Sequence, residues 1–185
     1  MVDPELLGDG VVLRLWTRED KPVIADIVAA SREEFDAWIP GMMSDLTDLD
    51  DFIDQVTAFA AASEAWYYGI EVDGEIVGQC NLNDRGDGVG EFGYWVRTDR
   101  TGHGIAARAV VALSGAAGRA EFSTLIIRCD AGNHRSAAVA RKAGFTHVDT
   151  VELDPERPRT HAQTGRETTW QLNLQHVGEQ RPTAP

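Results

Sequence analysis

The chain has 185 residues, 43% of them hydrophobic and 25% charged, and a formal net charge of −13. That length fits one domain whose core needs neither disulfide nor structural metal, and no apolar run reaches the roughly eighteen residues of a membrane span. The acidic balance argues against nucleic acid as a partner, which calls for a basic stripe, and suits a cationic substrate drawn in by the protein's field.

Val11 to Leu15 is rich in β-formers and opens the fold as a strand. Thr17 before Arg18-Glu19-Asp20 has the form of a helix start, and Val23, Ile24, Ile27 and Val28 repeat at helical spacing to about Ala30. Phe35, Trp38 and Ile39 form a short apolar face that Pro40-Gly41 ends. Thr47 is the expected cap of a further helix carrying Leu49, Phe52, Ile53, Val56 and Phe59 on one side. Strands follow over 66–72, 76–82 and 89–96, joined by turns at Asp73-Gly74 and Asp84 to Gly88. A helix over 104–120, a strand over 124–129 and a helix over 134–143 come next. Strands over 146–153 and 168–174 finish the fold around a polar loop, 154–166. The order predicts an α/β (α+β) architecture: a mixed, mostly antiparallel sheet of about seven strands flanked by helices. Residues 1–174 form one domain and 175–185, poor in apolar residues, a frayed tail. Cys80 and Cys129 lie in apolar strand stretches and read as core thiols of a reducing cytoplasm. Met1 to Glu5 lacks the basic-then-apolar order of a secretory signal.

Chemistry concentrates at Tyr94-Trp95-Val96-Arg97-Thr98-Asp99-Arg100-Thr101-Gly102-His103-Gly104-Ile105-Ala106, where a strand ends, two glycines turn the chain and a helix begins. Such a turn lets backbone N–H groups converge on an anion, and a pyrophosphate is a natural guest. A dinucleotide fold needs a third glycine where Ala107 stands and an acidic residue on the next strand, which offers only Asp130 at its end. A phosphate-binding loop of the Gly-Lys-Ser/Thr kind is also absent.

The sequence resembles the GNAT superfamily of acyltransferases, and within it the RimJ/RimL-like branch that acetylates ribosomal-protein amino termini. The family's Gln/Arg-x-x-Gly-x-Gly/Ala motif aligns with Thr101 to Ala106, and Asn133 to Phe145 resembles the branch's Asn-x-x-Ser-x-x-Val-x-x-Lys-x-Gly-Phe. Glu91 to Val96 is similar to its fourth strand, and Phe35 to Pro40 to the segment after its first helix. The resemblance spans roughly residues 10–174.

It implies direct attack of a primary amine on the thioester of acetyl-CoA as co-substrate, without a metal. It also implies a cytoplasmic, membrane-free enzyme, with a homodimer left open. The coenzyme site would comprise Trp95 and Val96 on the splayed strand, Thr101, Gly102, His103, Gly104, Ile105 and Ala106 in the turn, and Asn133 and Ser136. Asn133 would hold the pantetheine arm, cap its helix, or do both. Thr101 replaces the family's long polar side chain, so the backbone would carry the phosphates, with Arg100, His103 or Arg135 supplying charge. Glu91 is the candidate base and Ser136 the candidate acid toward sulfur; no tyrosine follows Ser136 where other branches carry one. Phe35, Trp38, Met42 and Met43 are candidates for the acceptor pocket. The acidic run Asp45, Asp48, Asp50, Asp51 and Asp54 is either a lure for a cation or a helix start with a solvated face. The acceptor is a protein amino terminus or, alternatively, a small amine such as an amino acid, polyamine or aminoglycoside. A longer donor such as succinyl-CoA and a non-catalytic acyl-CoA-binding module are further alternatives.

Overall fold

The computed structural model describes residues 5–39, 48–120 and 122–174, with side chains from residue 9 onward. Eight strands form one sheet: β1 (Glu5–Gly8), β2 (Val11–Leu15), β3 (Ala65–Val72), β4 (Glu75–Asp84), β5 (Val89–Val96), β6 (Thr124–Asp130), β7 (Thr146–Glu152) and β8 (Arg166–Asn173). Their order across the sheet is β1-β2-β3-β4-β5-β6-β8-β7. Every neighbouring pair is antiparallel except β5 and β6. The sheet is mixed and mostly antiparallel, as the sequence implies. It gains β1, a short hairpin partner of β2 that the periodicity did not reveal. Five helices accompany it among the described residues: α1 (Lys21–Ala30), α2 (Arg32–Trp38), α3 (Leu49–Ala62), α4 (Ile105–Arg119) and α5 (His134–Lys142). Met42, Met43, Thr47 and the expected tail lie outside the described residues.

Alternation along the strands divides the core in two. Leu13, Tyr68, Leu82 and Phe92 pack with Val110 and Leu113 of α4 and Ala140 of α5. Trp16, Ile76 and Trp95 point to the other face, against Ile24 and Ile27 of α1, Phe35 of α2 and Ile53 of α3. α4 presents Ala109, Ala116 and Ala117 as well as Leu113 to the sheet, so small side chains bring it close.

Local chemistry sets the helix ends. Asp48 caps α3, its carboxylate accepting from the N–H groups of Asp50 and Asp51 at 2.9 and 3.1 Å. The cap expected at Thr47 is therefore supplied one residue later. Asp50 and Asp54 face Arg18, and Asp50 also meets Lys21. This part of the acidic run thus joins α3 to the start of α1. Before α1, Asp20 is buried and accepts from both guanidinium nitrogens of Arg14 at 2.7 and 2.8 Å and from the Thr17 N–H and hydroxyl. Burial alone would raise its pKa, but these donors hold it below the ordinary value.

Candidate active site

The site begins where the sheet comes apart. β5 and β6 pair from Val89 with Thr124 to Phe92 with Ile127 and no further. β5 runs on through Val96, bonded to β4 on its other edge, and β6 runs on through Asp130, bonded to β8. Gly93 to Val96 and Arg128 to Asp130 therefore flank an opening with main-chain edges that no strand covers. Buried backbone donors and acceptors demand partners, so the opening suits an extended, strand-like ligand with amides of its own. A cavity of about 850 Å³ fills it and extends to both sides of the sheet edge. That volume lies within the range of about 300–1,000 Å³ usual for small-molecule sites.

At one end lies the glycine turn. Gly102 and Gly104 adopt φ of 86° and 74°, a left-handed conformation that side chains disfavour. Gly104 is the N-cap of α4, and no side chain caps the helix. Its first-turn amides and the positive end of its dipole are left for an anion. Thr101, Gly102, Gly104, Ile105 and Ala106 line the cavity; His103 is exposed and does not. The Thr101 hydroxyl donates to the Thr98 carbonyl at 2.9 Å, closing the preceding turn. Arg100, Arg135 and Lys142 bring positive charge to the lining. Arg100 also meets Glu75, and Arg135 meets Glu34 at 2.9 Å.

The start of α5 forms the opposite wall. Asn133 is its N-cap, with Oδ1 accepting from the Ser136 N–H at 3.0 Å. Asn133 and Ser136 both line the cavity, as do Trp95 and Val96 across the opening. The Tyr94 phenol reaches over from β5 to within 2.9 Å of Ser136 Oγ and 3.1 Å of its carbonyl oxygen. Burial pushes the Tyr94 pKa far up, so the phenol stays protonated. Cys129, half-buried on β6, also lines the opening, with Sγ 3.3 Å from the Thr168 hydroxyl.

Glu91, the candidate base, stands apart from these groups. It does not line the cavity. Its carboxylate accepts from Arg128 at 2.9 and 2.6 Å and from Arg85 at 2.6 Å. Burial would raise its pKa, but the two guanidinium groups outweigh burial and hold it below the ordinary value. A carboxylate so placed binds a proton poorly. It fixes Arg128, which does line the cavity.

The other end of the cavity is built from side chains of distant elements. Phe35 and Trp38 come from α2 and Ile39 from its C-cap, Phe52 and Gln55 from α3, Tyr67 from β3, and Gln79 and Asn81 from β4. Gln79 and Asn81 are both 6% exposed. Gln79 accepts from the Trp16 indole N–H at 2.9 Å and donates to Asn81 at 3.4 Å. Gly93 makes room for Asn81: a Cβ there would lie 2.6 Å from its Oδ1. Phe35 packs edge-on against Trp95 with ring centroids 5.4 Å apart. Tyr67, Gln79, Asn81 and Tyr94 escaped the sequence reading. The polar alternation Gln79, Asn81, Asn83 was the available signal, but such a pattern ordinarily marks a solvent face.

The loop between β7 and β8 is tied to β6 and α2. Asp130 accepts from the N–H groups of Gly132, Thr164 and Gly165 and from the Thr164 hydroxyl. The Thr160 hydroxyl donates to the Ala37 carbonyl on α2. Among the described residues no cluster of His, Cys, Asp and Glu is arranged to hold a metal ion, and no helix is long and apolar enough to cross a membrane.

An opened parallel strand pair, an uncapped helix after a glycine turn and a second helix together line this one cavity. Residues 11–146 match the family model of the acetyltransferase (GNAT) domain, more than half of the chain. The protein belongs to the GNAT acetyltransferase family. No curated protein matches the sequence. Among solved structures the chain is similar to RimL, a ribosomal-protein alpha-N acetyltransferase in complex with coenzyme A, with a TM-score of 0.81 and 17% identity over 90% of this chain and 96% of that one. It is similar to Mycobacterium smegmatis RimJ in complex with a coenzyme A disulfide, with a TM-score of 0.80 and 21% identity over 95% and 88%. It is also similar to the microcin self-immunity acetyltransferase MccE in complex with acetyl-CoA and AMP, with a TM-score of 0.77 and 19% identity over 90% and 93%.

Proposed function

We propose that the protein is a cytoplasmic N-acetyltransferase that moves the acetyl group of acetyl-CoA to the amino terminus of a peptide or protein. The observation that carries this reading is one continuous cavity, with a helix amino terminus for phosphates at one end, an opened strand pair in the middle and a neutral polar pocket at the other end. The coenzyme fits these groups: backbone amides and cations for its pyrophosphate, and strand edges for its pantetheine amides. It supplies a thioester that a neutral amine attacks directly.

The chain's own residues then have distinct tasks. The amides of Gly102 to Ala106 and the charges of Arg100 and Lys142 hold the phosphates. The edge of Gly93 to Val96 aligns the pantetheine arm and offers an N–H to the carbonyl oxygen as charge develops there. Ser136 gives a hydrogen bond to the departing sulfur. Among the described residues the carboxylates of the lining are Glu34 and Asp130, already engaged by Arg135 and by the Thr164–Gly165 backbone. The amine therefore loses its proton to solvent, and the pH–rate curve rises with the acceptor's own pKa.

The same pocket supports the proposed acceptor class. A polyamine or aminoglycoside carries several cations that call for uncommitted carboxylates. Tyr67, Gln79 and Asn81 instead offer a phenol and two amides, which suit the N–H and C=O groups of a peptide. Arg128, a cation of the lining, is neutralised by Glu91, which favours an acetyl over a succinyl donor. Thiol release from acetyl-CoA is measured against peptides of varied first residue, amino acids, polyamines and aminoglycosides. Peptides are expected to turn over. Turnover with small amines alone overturns the acceptor class, and tight coenzyme binding with no turnover makes the protein a binding module.

A further inference from the structure

We propose that Tyr94 is a positioning residue for thiolate departure: its phenol donates to Ser136 Oγ and thereby polarises the serine hydroxyl, whose hydrogen points at the coenzyme's sulfur. This rests on the assignment of the opened strand pair to acetyl-CoA. The two oxygens lie 2.9 Å apart, contributed by β5 and α5 across 42 residues of chain. Both residues line the cavity, at the level where β5 and β6 have parted.

The geometry leaves two hydrogen-bond arrangements. In one, the phenol donates to the Ser136 carbonyl at 3.1 Å and the serine hydroxyl donates back to the phenol oxygen. The serine hydrogen is then spent, and the sulfur has no donor from this pair. In the other, the phenol donates to Oγ and the serine hydrogen is free for the cavity. A departing thiolate selects the second, because a hydrogen bond to a charged acceptor is roughly twice as strong as one between neutral groups. The chain phenol–serine–sulfur is then polarised throughout, each donor strengthened by the one behind it. A serine hydroxyl alone is a weak donor and a very poor acid; the phenol behind it makes it a better one. Burial keeps that phenol protonated. The Asn133 carboxamide fixes the Ser136 backbone from the other side.

The step balances without an ionised protein group. The amine nitrogen bonds to the acetyl carbon, the carbon–sulfur bond breaks, and its electron pair stays on sulfur under the serine hydrogen bond. The acylated nitrogen releases its proton to solvent, and the sulfur takes one from solvent as the coenzyme leaves. Tyr94 and Ser136 keep their own hydrogens.

The test needs no acceptor. Coenzyme A is bound to the protein and its thiol titrated by the ultraviolet absorbance of the thiolate. The complex with dethio-coenzyme A serves as the blank, which removes the tyrosines and Cys129. Tyr94→Phe is expected to raise the apparent pKa of the bound thiol by roughly a few tenths of a unit relative to wild type, the cooperative share of one charge-assisted hydrogen bond. Ser136→Ala raises it at least as far, and the double variant no further than Ser136→Ala. Coenzyme affinity at a pH where the thiol is protonated stays within about twofold. A Tyr94→Phe value equal to wild type, or effects of the two variants that add, overturns the proposal and leaves Tyr94 as a clamp between β5 and α5. If Tyr94→Phe fails to fold, replacement of Tyr94 by 3-fluorotyrosine, a stronger donor, carries the test. The bound thiol pKa then falls below the wild-type value, and no change overturns the proposal. Wild-type protein that binds no coenzyme A at all refutes the assignment of the cavity itself, a separate result.

Discussion

The two ends of the cavity are built from different materials. The phosphate end is mostly backbone: the left-handed glycines at 102 and 104 and the uncapped first turn of α4. The acceptor end is side chains: Trp38, Tyr67, Gln79 and Asn81, brought from α2, β3 and β4. Backbone amides are the same whatever residue carries them, so the proposed phosphate end should tolerate Thr101 in place of a long polar residue. The acceptor end has no such tolerance, because each buried amide there was placed against a particular partner. Coenzyme binding should therefore be sensitive to conformation and acceptor binding to side-chain chemistry.

The sharpest way to break that contrast is Gly104→Val. A β-branched residue is strained at φ 74° although nothing blocks its Cβ. Strain and displaced amides together are expected to weaken coenzyme A roughly a hundredfold, about 3 kcal/mol, read by calorimetry. Near-normal affinity would show that the turn's shape does not matter. Asn81→Leu tests the other end. The acceptor KM is expected to rise roughly tenfold with coenzyme affinity unchanged, as a buried hydrogen-bonding amide is lost. A change in coenzyme affinity instead would mean that the two ends are not separable. Gln79→Leu leaves the buried Trp16 indole N–H without its acceptor. It should cost about 1–3 kcal/mol of stability in denaturant unfolding.

Glu91→Gln sharpens the contrast from outside the cavity. The folded-state pKa of Glu91 is depressed, so its stabilisation is present above the unfolded value and is lost as pH falls through the folded one. The variant should be less stable by about 1–2 kcal/mol at neutral pH, with the gap closing in acid below the ordinary carboxylate range. Its pH–rate curve should keep the wild-type rising limb; a flattened limb would return Glu91 to the role of base. The smallest effect belongs to Arg100→Ala. This exposed cation already meets Glu75, so coenzyme binding should weaken only about threefold, and less at high salt.

The acidic run and the helix caps show how local signals were read and where they slipped. The run before α3 is a helix start: Asp48 takes the cap and Asp50 faces Arg18 and Lys21. The choice between Thr47 and Asp48 could not be made by residue type, since both cap well. The partners of Glu91 were illegible for a different reason. Its position on β5 follows from periodicity, but Arg85 and Arg128 reach it from a turn and from a strand 37 residues on. β1 was missed because a four-residue strand carries too little alternation to stand out.

By itself the sequence determined whatever depends on neighbours in the chain. The glycines at 102 and 104 prescribe a turn because only they accept its dihedral angles cheaply. Asn133 prescribes a helix start three residues before Ser136, and hairpin turns order β3, β4 and β5. Only the tertiary structure decided how β5 and β6 part after Phe92, that polar Gln79 and Asn81 are buried, and that Tyr94 meets Ser136. These are contacts between segments far apart in the chain, and their register depends on how two helical layers pack on one twisted sheet. The glycine turn can be read in one dimension because backbone geometry is local; the chemistry beside it cannot, because the phenol and the hydroxyl become neighbours only when the sheet is folded.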